Sequence, residues 1–232
     1  MRRIVTLTIV LAFCAPLSAC GSSAKSPHTL RGRIIAAALA QKSVHWTLTS
    51  SDGDTWRADV NADSGRERTT DNHGGVVEIR LVNDTIYFRG SYEGGILLGL
   101  TPAQADRYAG RWIAVPRGYR PYRAFADSLT FDWIVRHAVP RRPLKKSFTS
   151  SHGTRLLVLS PPEGAGIPHD PPFAYELTAL ASGEPLPVAS SYLLSSFGRH
   201  GNYSSRRFSK WNEPVNIRAP ENPTPISIVR GG

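Results

Sequence analysis

Cysteine is almost absent from this sequence of 232 residues, which has two, Cys14 and Cys20. Both lie within the first 20 residues. The rest of the chain has no thiol that could form a disulfide, ligate a metal or act as a nucleophile. A domain built from it must therefore be stabilised by a packed core.

A long hydrophobic run is also missing. The mostly apolar segment from Ile4 to Ala15 follows a charged start, Met1-Arg2-Arg3. It is too short to span a bilayer. This arrangement is typical of the n-region and h-region of an export signal, so we predict an exported protein.

The apolar segment ends in Leu17-Ser18-Ala19-Cys20, which resembles the lipobox of bacterial lipoproteins. The resemblance implies that residues 1–19 are removed and that the Cys20 thiol is acylated. It also implies a location at the extracytoplasmic face of the cell membrane, with membrane lipid as the partner of Cys20. Residues 20–28 then form a flexible tether and residues 29–232 a single domain. An ordinary cleaved signal peptide beside a free cysteine is the alternative.

Acidic residues are in deficit. Without residues 1–19, the chain has 26 Lys and Arg against 18 Asp and Glu, a net charge of +8. For an exported lipoprotein, lipid head groups are a nearer anionic partner than nucleic acid, which we do not expect to bind. A net charge of this size could equally serve solubility. The basic residues that would face head groups cluster at Arg117, Arg120, Arg123, Arg136, Arg141, Arg142, Lys145 and Lys146.

Recognisable catalytic patterns are lacking. The seven histidines are scattered, with none paired at metal-ligand spacing. The segment around Ser196 lacks the leading glycine of a nucleophile elbow. His169-Asp170 lies in a proline-rich loop, and Asp127 and Asp132 do not share a helix face. We predict no enzyme, no cofactor and no metal, with a lipid hydrolase using Ser196 as the weakest alternative.

The apolar periodicity predicts three helices, over 29–41, at about 101–108 and within 119–138. Thr101, Pro102 and Gln104 have the pattern of a capping box with proline at the first helical position. The proline-rich tail is expected to run extended along an edge. Strands are predicted at 43–50, 56–60, 76–82, 85–89, 111–115, 147–150, 155–160, 173–180, 188–195 and 203–208.

These helices and strands must share one apolar interior. The simplest arrangement is an α+β fold in which a single curved antiparallel sheet forms a half-β-barrel and the helices cover its concave face. A dry void between helix and sheet would indicate an apolar ligand, whereas a filled interior would favour an interaction protein.

Three segments resemble the LolA-like lipid-carrier lipoproteins of the LppX and LprG type. Gly75 to Gly90 contains a strand pair ending in Tyr87-Phe88-Arg89-Gly90, and Tyr108 to Val115 resembles the strand that follows a short helix in that family. Pro214 to Pro220 is similar to the closing strand. The resemblance implies a half-barrel that holds or moves lipids, lipoglycans or other hydrophobic molecules across the cell envelope. The chain departs from the family pattern at 119–138 and 161–172.

The candidate ligand contacts are large apolar residues expected on inner surfaces: Trp46, Leu48, Ile79, Leu81, Phe88, Leu97, Leu100, Trp112, Phe125, Leu129 and Trp133. For any single one of them, plain core packing is the favoured explanation, and only the set as a whole indicates a ligand. Our leading hypothesis is an anchored lipoprotein that binds or carries a hydrophobic lipid ligand. An envelope transporter or receptor protein is the candidate protein partner, and the direction of transfer stays open. The alternative is a sensory or scaffolding lipoprotein that uses the same fold to contact an envelope protein.

Overall fold

The computed structural model describes residues 29–141, 144–162, 174–194 and 202–231. The helices of these ranges are α1 Leu30–Leu39, α2 Tyr92–Leu97, α3 Pro102–Tyr108, α4 Arg120–Ala126, α5 Phe131–Ala138 and α6 Ile226–Gly231. The strands are β1 Ser43–Ser50, β2 Thr55–Asn61, β3 Ser64–Thr70, β4 Val76–Val82, β5 Thr85–Gly90, β6 Ile113–Pro116, β7 Lys145–Ser151, β8 Thr154–Ser160, β9 Glu176–Leu180, β10 Pro187–Leu194, β11 Asn202–Ser209 and β12 Thr224–Pro225.

All these strands belong to one sheet, in the order β12-β6-β5-β4-β3-β2-β1-β11-β10-β9-β8-β7. The short pairing of β12 with β6 is parallel, and the other neighbouring pairs are antiparallel. Two meanders, β1–β6 and β7–β11, join where β1 pairs with β11. The sheet is open and curled with the helices on its concave face, which confirms the predicted α+β half-barrel.

Alternation along the strands separates the two faces as predicted. Val44, Trp46 and Leu48 of β1 are buried on the concave face, and Ala58 and Val60 of β2 continue it. The residues between them are more exposed and carry the charged groups of the convex face. One dry face and one wet face are what an antiparallel sheet of this kind requires.

The capping box predicted before α3 is present. The Thr101 amide donates to Gln104 Oε1 at 3.1 Å, and the Gln104 amide donates to Thr101 Oγ1 at 3.4 Å. Pro102 takes the first helical position, where its missing N–H costs nothing.

The prediction of a single aromatic helix within 119–138 is wrong. The segment forms α4, a 3-10 turn at Asp127–Leu129, and α5. The Thr130 backbone is extended, and its hydroxyl donates to the Ala126 carbonyl at 2.8 Å. Ser128 likewise donates to the Phe125 carbonyl. Short polar side chains thus compete for the helical acceptors and break the helix.

Two further elements of the sheet region have no apolar pattern and were not predicted. Strand β3 reads Ser-Gly-Arg-Glu-Arg-Thr-Thr and is specified by its ladders with β2 and β4. Helix α2 contains Gly94 and Gly95, which are poor helix formers. A Cβ at Gly95 would lie 2.8 Å from that of Ala105, so the glycine lets α2 and α3 pack closely.

The tail departs from expectation. Residues 213–220 form no strand in the described chain, which corrects the closing strand expected at Pro214 to Pro220. This stretch crosses the convex face, where Asn61 donates to the Val215 carbonyl and Arg80 to the Arg218 carbonyl, both at 3.1 Å. The tail then reaches the sheet edge as β12 and ends in α6, a helix that was not predicted.

The core divides into two apolar clusters. The first lies under α1 and α5, against β1, β2 and β8–β11. The second lies under α2, α3, α4 and α6, against β4–β6. In the first cluster Ile134 and Val135 of α5 have no accessible surface, so these side chains pack directly against their neighbours rather than facing the dry void that we considered.

Candidate ligand site on the concave face

A polar strip separates the two apolar clusters. Its residues are the inward-facing side of β3, namely Gly65, Glu67 and Thr69. A Cβ at Gly65 would lie 2.5 Å from the Leu129 carbonyl oxygen, so only glycine lets the 3-10 turn rest on the sheet. The 3-10 turn between α4 and α5 therefore lies where the two clusters meet.

Glu67 is a buried acid in this strip, with 8% of its surface exposed. Burial raises the pKa of Glu67 to about 7, against the Arg206 cation and a hydrogen bond from Thr69, which lower it. The Thr69 hydroxyl donates to Glu67 Oε1 at 3.5 Å. Near neutral pH this carboxyl therefore exists in both protonation states.

A second buried charge, Arg206 on β11, lies on the same face and is also 8% exposed. Its guanidinium lies 4.4 Å from the Trp46 ring centroid and 4.8 Å from that of Tyr192. Its Nη1 donates to the Tyr192 hydroxyl at 3.3 Å, and Ser190 donates to the same hydroxyl at 3.0 Å. The flanking rings and this bond hold the guanidinium in place.

Three polar atoms on this part of the concave face have no hydrogen-bond partner among the described residues. They are Arg206 Nε, Trp46 Nε1 and Ser204 Oγ, and each is fully buried. Ser204 lies directly opposite Tyr192 in the β10–β11 ladder. A buried donor left without an acceptor costs roughly 1–3 kcal/mol, so each of these atoms requires an explanation. We call these residues, with Tyr192, the Arg206 cluster.

Beside the Arg206 cluster, a row of inward-facing residues is only partly covered. Leu48, Trp56, Thr69 and Val77 occupy successive strands β1–β4 in register. Trp56, Thr69 and Val77 are half-buried, unlike the rows on which the helices lie. Leu48 is also directly opposite Arg206. The row thus leads from the buried cation to accessible apolar surface.

Helix α2 adds exposed apolar side chains at the far end of this row. Gly94 of α2 sits against Val77, since a Cβ there would lie 3.1 Å from Val77 Cγ2. Ile96 and Leu97 on the same helix are exposed, Leu97 by 71%. Such side chains on water-facing surface are typical of contacts with a ligand or membrane when they are contiguous with an apolar face.

The structure brings most of the predicted ligand contacts to the concave side. Trp46 and Leu48 belong to the first cluster, and Trp133 packs against it while stacking on His137 at 3.9 Å. Six other predicted contacts belong to the second cluster or pack against it: Ile79, Leu81, Phe88, Leu100, Phe125 and Leu129. The predicted set is therefore divided between two clusters rather than gathered round one void.

Two predicted contacts lie elsewhere. Leu97 points to solvent from α2. Trp112 lies on the convex side, with the guanidinium carbons of Arg80 and Arg89 at 4.6 and 4.7 Å from its ring. Trp112 precedes the buried Ile113 by one residue, and neighbours on a strand face opposite sides.

The sequence reasoning missed Glu67, Tyr192, Ser204 and Arg206. A usable signal existed for β11, because Phe208 fixes which alternate residues face inward and Arg206 and Ser204 share its parity. No comparable signal existed for Glu67, since the inward side of β3 has no apolar residue.

The predicted basic segment is dispersed over several elements. Arg136 forms an ion pair with Asp132, and Arg117 lies 3.6 Å from Asp84. A groove of about 1010 Å³ lies beneath α4, and its rim carries both signs: Arg117, Arg120 and Arg123 with Asp63, Asp84 and Asp127. Lys145 and Lys146 are instead exposed on the edge strand β7. Arg142 lies outside the described residues.

Ser196, His169 and Asp170 lie outside the described residues, as do Cys20 and the whole of 1–28. Among the residues that are described, no three His, Cys, Asp or Glu side chains gather where they could hold a metal ion. In the same part of the chain, no helix has the length and hydropathy needed to cross a bilayer.

By architecture, the chain is an α+β half-barrel with an apolar concave face and a charged convex face. No family model and no curated protein matches its sequence. A solved structure to which it is similar is that of the Mycobacterium tuberculosis lipoprotein LppX. The two share 17% identity over 80% of this chain and 94% of that one, with a TM-score of 0.45. Membership of the LolA-like family stays a prediction.

Proposed function

We propose that the chain is a non-catalytic lipoprotein of the cell envelope that binds a hydrophobic molecule on the concave face of its sheet. Residues 1–19 are the signal, Cys20 is the acylated anchor, and residues 29–232 form a single binding domain at the extracytoplasmic face of the membrane. The ligand is a lipid, lipoglycan or acyl chain, which the protein receives from or delivers to an envelope partner.

The observation that carries this proposal is the partly covered row Leu48–Trp56–Thr69–Val77. A row of this kind on an otherwise sealed inner face offers apolar contact to a chain-like molecule without unfolding either cluster. Apolar surface that stays in contact with water is worth about 25 cal/mol per Å² when a ligand covers it. The row therefore gives a lipid chain a favourable place to lie.

The contacts proposed for the ligand follow from this row and differ from the full sequence-derived set. Trp46, Leu48, Trp56 and Val77 line the path, with Ile96 and Leu97 of α2 at its outer end. Trp112 is left out because it faces the other side of the sheet. The buried members of the second cluster support α2 and α4 from below.

Transfer of a fluorescent phospholipid from vesicles to the full chain tests the proposal. Trp56→Ser should lower the amount of lipid held at equilibrium by about tenfold, because it removes several buried carbon contacts. Trp112→Ser is the matched control, a half-buried tryptophan on the opposite face, and should leave lipid binding unchanged. Equal effects of the two variants, or no transfer to the wild type, would contradict the proposal.

One observation favours the alternative of a protein-contacting scaffold. Strand β7 is exposed along all seven residues and carries Phe148, 48% exposed, at the edge of the sheet. An unpaired edge can accept a strand from a partner. The scaffold hypothesis expects no lipid to copurify, so the same lipid measurements separate the two functions.

A further inference from the structure

We infer that the Arg206 cluster is an internal site for the anionic group of an amphipathic ligand, a phosphate or a carboxylate. This inference rests on the proposed function, because it names the part of the ligand that the same concave face recognises. The acyl portion would lie along the row that begins at Leu48, directly opposite Arg206 in the β1–β11 ladder.

The chemistry of the unpartnered atoms sets the kind of ligand. Arg206 Nε and Trp46 Nε1 can only donate hydrogen bonds, and the Ser204 hydroxyl can donate one as well. A group that accepts hydrogen bonds from the neighbouring Arg206 and Trp46 must therefore be rich in acceptors. Phosphate and carboxylate oxygens are such acceptors, and hydrogen bonds from a guanidinium to them are about twice as strong as neutral ones.

The charge balance also favours an anion. Arg206 carries a cationic guanidinium, and none of the described residues forms an ion pair with it. Glu67 acts on it only through the electrostatic field, and the raised pKa of Glu67 leaves part of that carboxyl neutral near pH 7. The cluster therefore keeps a positive charge in a setting of low dielectric.

The charge of Arg206 also affects His137. Burial lowers the pKa of His137, and the guanidiniums of Arg141 and Arg206 lower it further, against the hydrogen bond with the Trp133 carbonyl, which raises it. The His137 ring donates from Nδ1 to that carbonyl at 2.7 Å. The lowered pKa disfavours a second positive charge, on His137, in the field of Arg206.

The site is built rather than incidental, because three elements hold its parts in fixed positions. Trp46 comes from β1, Tyr192 from β10, and Arg206 with Ser204 from β11, all within paired strands. The guanidinium lies near two rings, which restrict its plane, and its Nε is buried without a hydrogen-bond partner. Preorganised donors of this kind reduce the ordering cost of binding.

Equilibrium binding to the full chain tests the inference with three probes that carry the same labelled acyl chain. They are phosphatidylglycerol, a fatty acid and the neutral diacylglycerol. The wild type should bind at least one anionic probe about tenfold or more tightly than diacylglycerol, the factor expected from one or two charge-assisted hydrogen bonds. Preference for phosphatidylglycerol alone assigns the site to phosphate, preference for the fatty acid alone assigns it to carboxylate, and preference for both assigns it to either anion.

Variants show which residues cause the preference for anionic over neutral probes. Arg206→Gln should bring the ratio of anionic to neutral binding close to one while diacylglycerol binding changes less than about twofold. Arg207→Gln is the control, since this neighbour is exposed on the opposite face of the same strand. If Arg206→Gln does not fold, Ser204→Ala removes one donor with little change of shape, and Trp46→Phe removes the indole N–H together with one ring; each should lower the ratio.

Failure of the anion site and failure of the proposed lipid binding give different results. Equal binding of all three probes by the wild type would overturn this inference and leave the proposed function standing. Equal weakening of every probe by Arg206→Gln, or an unchanged ratio in both Trp46→Phe and Ser204→Ala, would also overturn it. If no probe binds to the wild type, the proposed function fails together with the inference.

Discussion

The two faces of the sheet use the same residue types in opposite ways. On the convex face, Glu78 accepts hydrogen bonds from Arg68 and Arg89, and Trp112 lies beneath Arg80 and Arg89. These charges satisfy one another in contact with water. On the concave face, Glu67, Trp46 and Arg206 are buried, and two of them keep donors without partners among the described residues.

This difference indicates which face is completed by another molecule. Exposed ion pairs cost little to form and contribute little to stability. The charged groups of the convex face that pair with one another therefore do not require a ligand. Burying a guanidinium without an ion pair lowers the stability of the fold. We therefore attribute the buried Arg206 to ligand binding. Matched substitutions on the two faces test this difference.

The largest contrast is expected for the two tryptophans. Trp46→Ala should lower the free energy of unfolding by about 3–5 kcal/mol, because a large side chain that is 2% exposed is replaced by a void. Trp112→Ala should cost only about 1 kcal/mol, through its contacts with two arginines. Urea unfolding followed by circular dichroism measures both, and similar losses would contradict the assignment of the faces.

The two glutamates should differ in pH dependence. Since the folded pKa of Glu67 is raised above the ordinary 4.5, its contribution is intact below that value and is lost as the pH rises through about 7. Glu67→Gln should therefore match the wild type near pH 4.5 and exceed it at pH 8, by up to about 3 kcal/mol. Glu78→Gln should be less stable than the wild type by up to about 1 kcal/mol, with no gain at pH 8. A Glu67→Gln protein that is less stable than the wild type at pH 8 would sink this explanation.

Adjacent residues of β3 give the next contrast. Gly65→Ala places a Cβ against the Leu129 backbone and should cost about 1–3 kcal/mol. Arg66→Ala, one residue along on the convex face, loses an exposed ion pair with Asp59 and should cost less than about 1 kcal/mol. Thermal unfolding of both variants checks the order, and a harmless Gly65→Ala would show that the 3-10 turn does not need to rest on the sheet there.

The smallest effect concerns the edge strand. Lys146→Gln should weaken binding to anionic vesicles by about 1 kcal/mol at low salt, and the loss should fade as salt screens the charge. Arg57→Gln on the convex face serves as the control and should have no comparable effect. Vesicle sedimentation at two salt concentrations measures both, and equal losses would remove β7 from the membrane contact.

Much of the sheet was predictable because its signals are local. Alternation placed Trp46 and Leu48 on one face, and the residues of the capping box predicted α3 and its first turn. The break at Asp127–Thr130 was not predictable from apolar spacing, since the spacing continues through it and side-chain hydrogen bonds end the helix. Strand β3 was missed because its partners, rather than its own residues, make it a strand.

The site was less accessible to sequence than the fold. Arg206 and Arg207 are identical in type, and only the strand register makes one buried and the other exposed. The unpartnered state of Trp46 Nε1 depends on residues from three strands. Such features arise from packing between distant segments, and no local pattern encodes them.

The most direct test is native mass spectrometry of the protein purified from its own host, with organic extraction of the same sample. We expect a mass above that of the acylated chain, and an extract in which the additional molecule is an amphipathic lipid with a phosphate or carboxylate group. A protein that carries only its own acyl anchor, at full occupancy of folded material, would contradict it.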